Sequence, residues 1–218
     1  MSTTTYLQLV NNVLIRLREN EVSSVEDTPY SSLLGVLVND AKREVENATA
    51  WQALNQTVVI PTVAGTRNYT LTGSGERFRV NQVLNDTQDV EVRQAPANWL
   101  DRQYYMGTVQ ESAPVYYSFN GVDSNGDTKV DVYPKPDAVY SLRFDLNIPQ
   151  DDLVNNNDTI TVPAHLVQLL TYAKAVAERG EDGGTAFNEI YQQYRLALAD
   201  TIALERNRYN EDVTWEAV

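Results

Sequence analysis

Three glycines, Gly180, Gly183 and Gly184, fall within five positions between two amphipathic stretches that together run from Pro163 to Arg208. No other feature constrains the chain as much, because glycine weakens a helix and permits the positive φ at which helices end. Before the break, Leu166, Leu169, Leu170, Ala173, Val176 and Ala177 recur at the i, i+3, i+4, i+7 spacing of a helix with one buried face. Pro163 suits its first turn and Gly180 its C-terminal cap. After the break, Phe187, Ile190, Tyr191, Tyr194, Leu198 and Ile202 share a face, with Thr185 available as N-cap. The stretch from Thr185 to Arg208 would extend roughly 36 Å if unbroken, which is long for a domain of this size.

Two further helices are expected at the N-terminus. Tyr6 to Arg18 puts Leu7, Val10, Leu14 and Leu17 on one face behind Thr4 or Thr5 as cap. Thr28-Pro29 has the N-cap and N1 signature of a second helix. Its apolar face is Leu34, Leu37, Ala41, Val45 and Ala48, its outer face carries Lys42, Arg43, Glu44 and Glu46, and it ends near Trp51 to Leu54. Leu9, Val13, Val36, Ala197 and Leu204 fall off the main stripes, and an oligomer would bury them.

The pattern changes at Gln56. Thr57 to Ile60 is rich in β-branched residues, and further runs read as strands at Asn68 to Thr72, Phe78 to Leu84, Val90 to Gln94, Val115 to Phe119, Lys129 to Tyr133 and Tyr140 to Asn147. Val130 and Val132 alternate with Asp131 and Tyr133, and Leu142, Phe144 and Leu146 with Arg143 and Asp145, which predicts strands with one wet face. The segment Ala95 to Gly107, with Trp99, Tyr104, Tyr105 and Met106, reads as either a short helix or a loop. The fold class is therefore α+β: a bundle of about four helices, two N-terminal and two C-terminal, with an inserted antiparallel β domain. The expected boundaries are 1–55 and 160–210 for the bundle, 56–150 for the β domain and 211–218 for a C-terminal tail.

Composition narrows the function. In 218 residues, 42% hydrophobic residues suffice for a core, and the lack of cysteine removes disulfides, thiolate zinc sites and cysteine nucleophiles together. No apolar run approaches the ~20 residues needed to cross a bilayer, and Met1 to Thr5 lacks the start of a signal peptide, so a product made in the cytoplasm and free of membrane is expected. The net charge of −13 disfavours a clamp on nucleic acid. It fits either plain solubility or the wall of a conduit through which DNA slides without sticking.

Chemical motifs are sparse. The single histidine, His165, lies in the first turn of a helix and makes no metal cluster by itself. Nucleophile-elbow, dinucleotide and phosphate-loop signatures are missing, so neither catalytic residues nor a cofactor are expected. Asp123-Ser124-Asn125-Gly126-Asp127 resembles the start of a calcium loop, yet its glycine is fourth rather than sixth and the twelfth residue is Pro134, and a turn between strands explains it as well. Asp151-Asp152 and Glu181-Asp182 sit in expected turns. Tyr104, Tyr105, Tyr116, Tyr117, Tyr133 and Tyr140 suit core pairs, a sugar-stacking surface or a protein interface. The acidic tail from Tyr209 to Val218, with Val213 and Trp215, reads as a docking arm or as an end without a role.

Taken together, the layout resembles the head-to-tail adaptor, or tubular tail protein A, family of short-tailed bacteriophages. The likeness covers the whole chain and rests on its order of segments: Val38-Asn39-Asp40-Ala41-Lys42-Arg43-Glu44-Val45 and Trp51, then Tyr69-Thr70-Leu71-Thr72 and Arg77-Phe78-Arg79-Val80, then Ala177-Glu178-Arg179-Gly180-Glu181-Asp182-Gly183. The resemblance implies a virion protein at the head-tail junction, a homo-oligomeric ring, typically of twelve subunits, that joins the portal protein to the tail nozzle protein and lets double-stranded DNA pass. It further implies a portal side at Tyr209, Val213 and Trp215 and a nozzle-side loop at Asn120, Asp123, Asn125 and Asp127. Ala197 and Leu204 are the candidate subunit interface. Two rivals remain open: a carbohydrate- or receptor-binding virion or surface protein, which glycan binding would favour, and an enzyme with an unrecognised acidic site, which metal-dependent turnover would favour.

Overall fold

The computed structural model describes residues 4–180 and 185–206. The fold is α+β, with helices α1 (Tyr6–Arg16), α2 (Pro29–Ala48), α3 (Ala97–Tyr105), α4 (Ala164–Arg179) and α5 (Thr185–Arg206) and strands β1 (Asn55–Pro61), β2 (Asn68–Thr70), β3 (Arg79–Asn85), β4 (Val90–Glu91), β5 (Arg93–Gln94), β6 (Tyr116–Val122), β7 (Thr128–Tyr133) and β8 (Ser141–Asn147). It divides into two compact units, Met1–Ala53 with Gln150–Val218, and Leu54–Pro149.

In the helical unit the starts are local chemistry. Thr5 caps α1 and forms a reciprocal box with Gln8; Thr28 does the same for α2 with Ser31, and Pro29 occupies the first turn. Each box satisfies two backbone N–H groups that a helix N-terminus leaves free. Gly180 ends α4 in the left-handed region at φ 64°. Helix α4 packs against α1, α2 and α5.

Three expectations are corrected here. Leu9 and Val13 are fully buried with Tyr6, Val10 and Leu14, so the inner face of α1 is one position around from the predicted stripe, and no second copy is needed to cover them. On α4 the buried set is Leu166, Val167, Leu170, Thr171, Ala173 and Ala175, while Ala177 is exposed. Contact with three helices buries more than one stripe. The third concerns Lys42 and Glu46, expected outside and in fact buried. Lys42 Nζ donates to Glu46 Oε1 at 3.3 Å and to the Gln150 carbonyl at 2.5 Å, and the Gln150 N–H donates to Glu46 Oε1 at 3.3 Å. The ion pair therefore has hydrogen bonds from the main chain that returns over α2, which is the condition under which a buried pair is tolerated. Burial nonetheless holds the Glu46 carboxyl above the usual range, against the pull of Lys42.

The other unit is two four-stranded sheets, ordered β1-β8-β3-β4 and β2-β7-β6-β5. Their facing sides share one core, with Ile60, Val83, Leu142, Phe144 and Leu146 from the first sheet and Tyr117, Val130 and Val132 from the second. Strands β4 (Val90–Glu91) and β5 (Arg93–Gln94) flank the buried Val92, where the chain passes from one sheet to the other. The pairs are antiparallel except β5 with β6 (Tyr116–Val122), which is parallel, so the expected antiparallel domain is in part mixed.

Alternation holds in β8 (Ser141–Asn147), where Leu142, Phe144 and Leu146 are buried and Arg143 is exposed. It fails in β7 (Thr128–Tyr133), where Asp131 and Tyr133 are buried as well. The expected wet face is covered by α3, which packs Trp99, Leu100 and Tyr104 with Tyr116 and Tyr133. Trp99 lies edge-on to Tyr116 and Tyr133, and Tyr104 edge-on to Tyr133, the geometry that aromatic quadrupoles favour.

Candidate functional site

Helix α5 is the least buried of the long helices. Among its described side chains only Tyr194 is buried, while Phe187, Ile190, Tyr191, Leu198 and Ile202 are half-buried. Tyr194 anchors the helix: burial first, then Glu44 and Tyr191, pushes its phenol up to about 12. Phe187 stacks on Tyr191 with ring centres 5.4 Å apart. Near the far end, the Gln52 N–H donates to Glu205 Oε1 at 2.8 Å, and Thr201 Oγ1 lies 3.3 Å from His165 Nε2. His165 thus sits beside α5, and burial lowers its pKa.

The opposite side of α5 has no cover among the described residues. Leu196 is 68% and Leu204 70% exposed. At 100° per residue, Leu196, Ala199 and Ala203 lie on one outward stripe with Leu204 beside it, and all four are exposed. Ala197 is half-buried on the shoulder of the helix, and its carbonyl accepts the Thr201 hydroxyl at 2.7 Å. Val36 on α2 is likewise 59% exposed. Of the residues read from sequence as needing a partner, Val36 and Leu204 remain outside.

In the β unit, residues 123–127 form the turn between β6 and β7. Asp123 Oδ1 accepts from the N–H groups of Asn125 and Asp127 at 2.8 and 3.0 Å, and Gly126 adopts φ 87°, a backbone region that suits glycine. Asp127 Oδ1 accepts from the N–H groups of Gly73 and Gly75 at 3.0 and 3.1 Å. These carboxylates brace loops, and among the described residues no group of three or more His, Cys, Asp or Glu is placed to hold a metal ion. Asn120 is turned differently: its amide donates to Asp131 Oδ2 at 3.2 Å.

Asp131 belongs to a cluster that sequence reading missed. Arg67 lies 3.4 Å from its Oδ2, Asn68 donates to its Oδ1, and burial raises its pKa despite both. The Arg67 guanidinium sits 4.6 Å from the centre of the Tyr104 ring and 5.3 Å from that of Tyr105, a cation–π arrangement. Burial pushes the Tyr104 phenol up to about 12 although Arg67 opposes it. Of the tyrosine group, Tyr104, Tyr116, Tyr117, Tyr133 and Tyr140 are wholly or partly buried, and Tyr105 is 76% exposed. The only advance signal for the cluster was Arg67 immediately before the strand that begins at Asn68.

Tyr209, Val213 and Trp215 lie outside the described residues. No described helix is long and apolar enough to cross a membrane. No curated protein matches the chain. Its sequence does match the SU10 adaptor protein family over residues 4–215, through both helical ends and the strands between them. The order of segments, the two-sheet insertion and that nearly complete match lead to one conclusion: the chain belongs to the SU10 adaptor protein family of phage adaptors.

Proposed function

We propose that this chain acts at the head-tail junction of a virion as a ring, of twelve subunits, that joins the portal protein to the tail nozzle protein and passes double-stranded DNA. The observation that carries the reading is the family match along residues 4–215. The apolar outer side of α5 supports lateral packing, since a stripe of this kind gains by burial against a neighbour. The net charge of −13 suits a conduit that does not hold DNA. In this reading Ala197 and Leu204 meet the adjacent subunit, Tyr209, Val213 and Trp215 meet the portal, and the loop with Asn120, Asp123, Asn125 and Asp127 faces the nozzle. The work is binding, and no catalytic group or cofactor is assigned.

Electron microscopy of the purified chain mixed with its candidate portal tests the proposal. The expected image is a twelvefold collar on the portal. An inert monomer by mass photometry, with no mass shift when portal is added, would overturn it.

A further inference from the structure

A cavity of about 700 Å³ opens in the helical unit between the loop that precedes α2 and the segment 152–156. Its walls are built before anything enters. Asn39 clamps the Leu153 peptide, accepting from its N–H at 2.9 Å and donating to its carbonyl at 3.0 Å. Asn156 Oδ1 accepts from the Val25 N–H at 3.1 Å. Asp27 Oδ2 accepts from the N–H groups of Ser23 and Ser24 at 2.8 Å, and Asp158 Oδ2 from those of Val154 and Asn155 at 2.8 and 2.7 Å. Their hydrogen bonds lower the pKa of both carboxyls, so they remain ionised beside the cavity.

Tyr6 lines the cavity and is only 6% exposed, yet its hydroxyl has no hydrogen-bond partner among the described residues. Glu26 and Asp152 line the same cavity as Tyr6, and the phenol is raised first by burial and then by those two carboxylates. The protein makes room for it: a Cβ on Gly35 would stand 2.4 Å from Tyr6 Oη and 2.7 Å from Val25 Cγ1. A glycine inside a helix costs roughly 1 kcal/mol relative to alanine, and here space for the phenol accounts for it. Asp152 is held by Arg43, whereas Glu26 is exposed and has no ion pair among the described residues. Val25 and Leu153 supply a buried apolar wall, and Val154, 75% exposed, an apolar rim.

We propose that this cavity receives an arginine side chain of a protein partner, its alkyl stem along Val25, Leu153 and Val154 and its guanidinium between Tyr6 Oη, Glu26 and Asp152. A long basic side chain buries its stem against apolar surface and keeps its charged head with polar groups. A guanidinium has five donors in a planar fork and sheds water more easily than an ammonium, so it suits acceptors spread over three side chains. The assignment does not depend on ring formation.

The test is a titration of the isotope-labelled full chain, followed by NMR, with N-acetyl-arginine amide and with its neutral isostere N-acetyl-citrulline amide. The arginine probe should shift the amides of Val25, Gly35 and Leu153 saturably, and the citrulline probe should not. Tyr6→Phe and Glu26→Gln should each weaken binding about tenfold or more, the scale of one hydrogen bond to a charged group. Tyr6→Phe should leave the melting temperature of the free protein unchanged or raised, because it deletes a hydroxyl with no partner. Equal shifts with citrulline, shifts that never saturate, or a free protein destabilised by Tyr6→Phe would overturn the proposal. Saturation by spermidine without any by arginine would show a polyamine site and overturn it too.

Discussion

Helices α4 and α5 are neighbours in sequence and in contact, yet one serves the fold and the other is largely spare. In its 16 residues α4 buries six side chains, and they face three other helices. In its 22 residues α5 fully buries only Tyr194 among those described. A helix of 22 residues is about 33 Å long, more than attachment to α4 by one narrow side requires. The contrast shows that amphipathic spacing reports where apolar residues lie on a helix and not how many neighbours cover them.

The largest effect should come from the interior to which α4 belongs. Lys42→Ala removes the partner of the buried Glu46 and should cost about 3–5 kcal/mol in urea unfolding. The double change Lys42→Met with Glu46→Leu should recover most of it; no recovery would mean that the pair, rather than its burial, holds α2. Next, Leu170→Ala in α4 should cost about 3 kcal/mol, against less than about 0.5 kcal/mol for Leu196→Ala in α5. Equal costs would break the contrast between the helices. Gly35→Ala should cost about 1–3 kcal/mol through its collision with Tyr6 and Val25, read as a lowered unfolding midpoint.

A pH effect tests the anchor of α5. Tyr194 has its phenol raised to about 12 in the folded chain, against about 10 when unfolded. The folded state holds that proton more tightly, so its contribution is complete below about pH 10 and declines as pH rises towards about 12. Tyr194→Phe should reduce the alkaline loss of stability and leave the part due to the other raised phenols, Tyr104 and Tyr6 among them. An unchanged alkaline profile would show that Tyr194 does not anchor the helix. The smallest effect on the subunit is expected for Leu204→Glu, within about 0.5 kcal/mol at an exposed site, and it should impair ring assembly far more. Ala197→Glu, at a half-buried position, should affect both. If Leu204→Glu lowers stability and assembly alike, Leu204 is part of the core.

Local chemistry was readable in advance. Thr28-Pro29, Gly180 and the alternation of Leu142, Phe144 and Leu146 mark a helix start, a helix stop and a half-buried strand because each depends on nearby backbone geometry. The same reading misjudged Asp131 and Tyr133, because the helix that covers them lies some 30 positions earlier in the chain. It also missed the Arg67 cluster, whose members come from four separate segments.

By itself, then, the sequence determined the two helix pairs, the strands between them, the stop at Gly180 and the acidity, all of which follow from neighbouring residues or from overall composition; it left 95–107 open between helix and loop, and its layout carried the resemblance to phage adaptors. Tertiary structure decided which faces are covered. It took Leu9, Val13, Lys42 and Glu46 inside, left Leu196 and Leu204 outside, and opened the cavity at Tyr6. Burial depends on what packs against a residue, and a packing partner can lie far along the chain, as Gln150 lies 108 positions from Lys42.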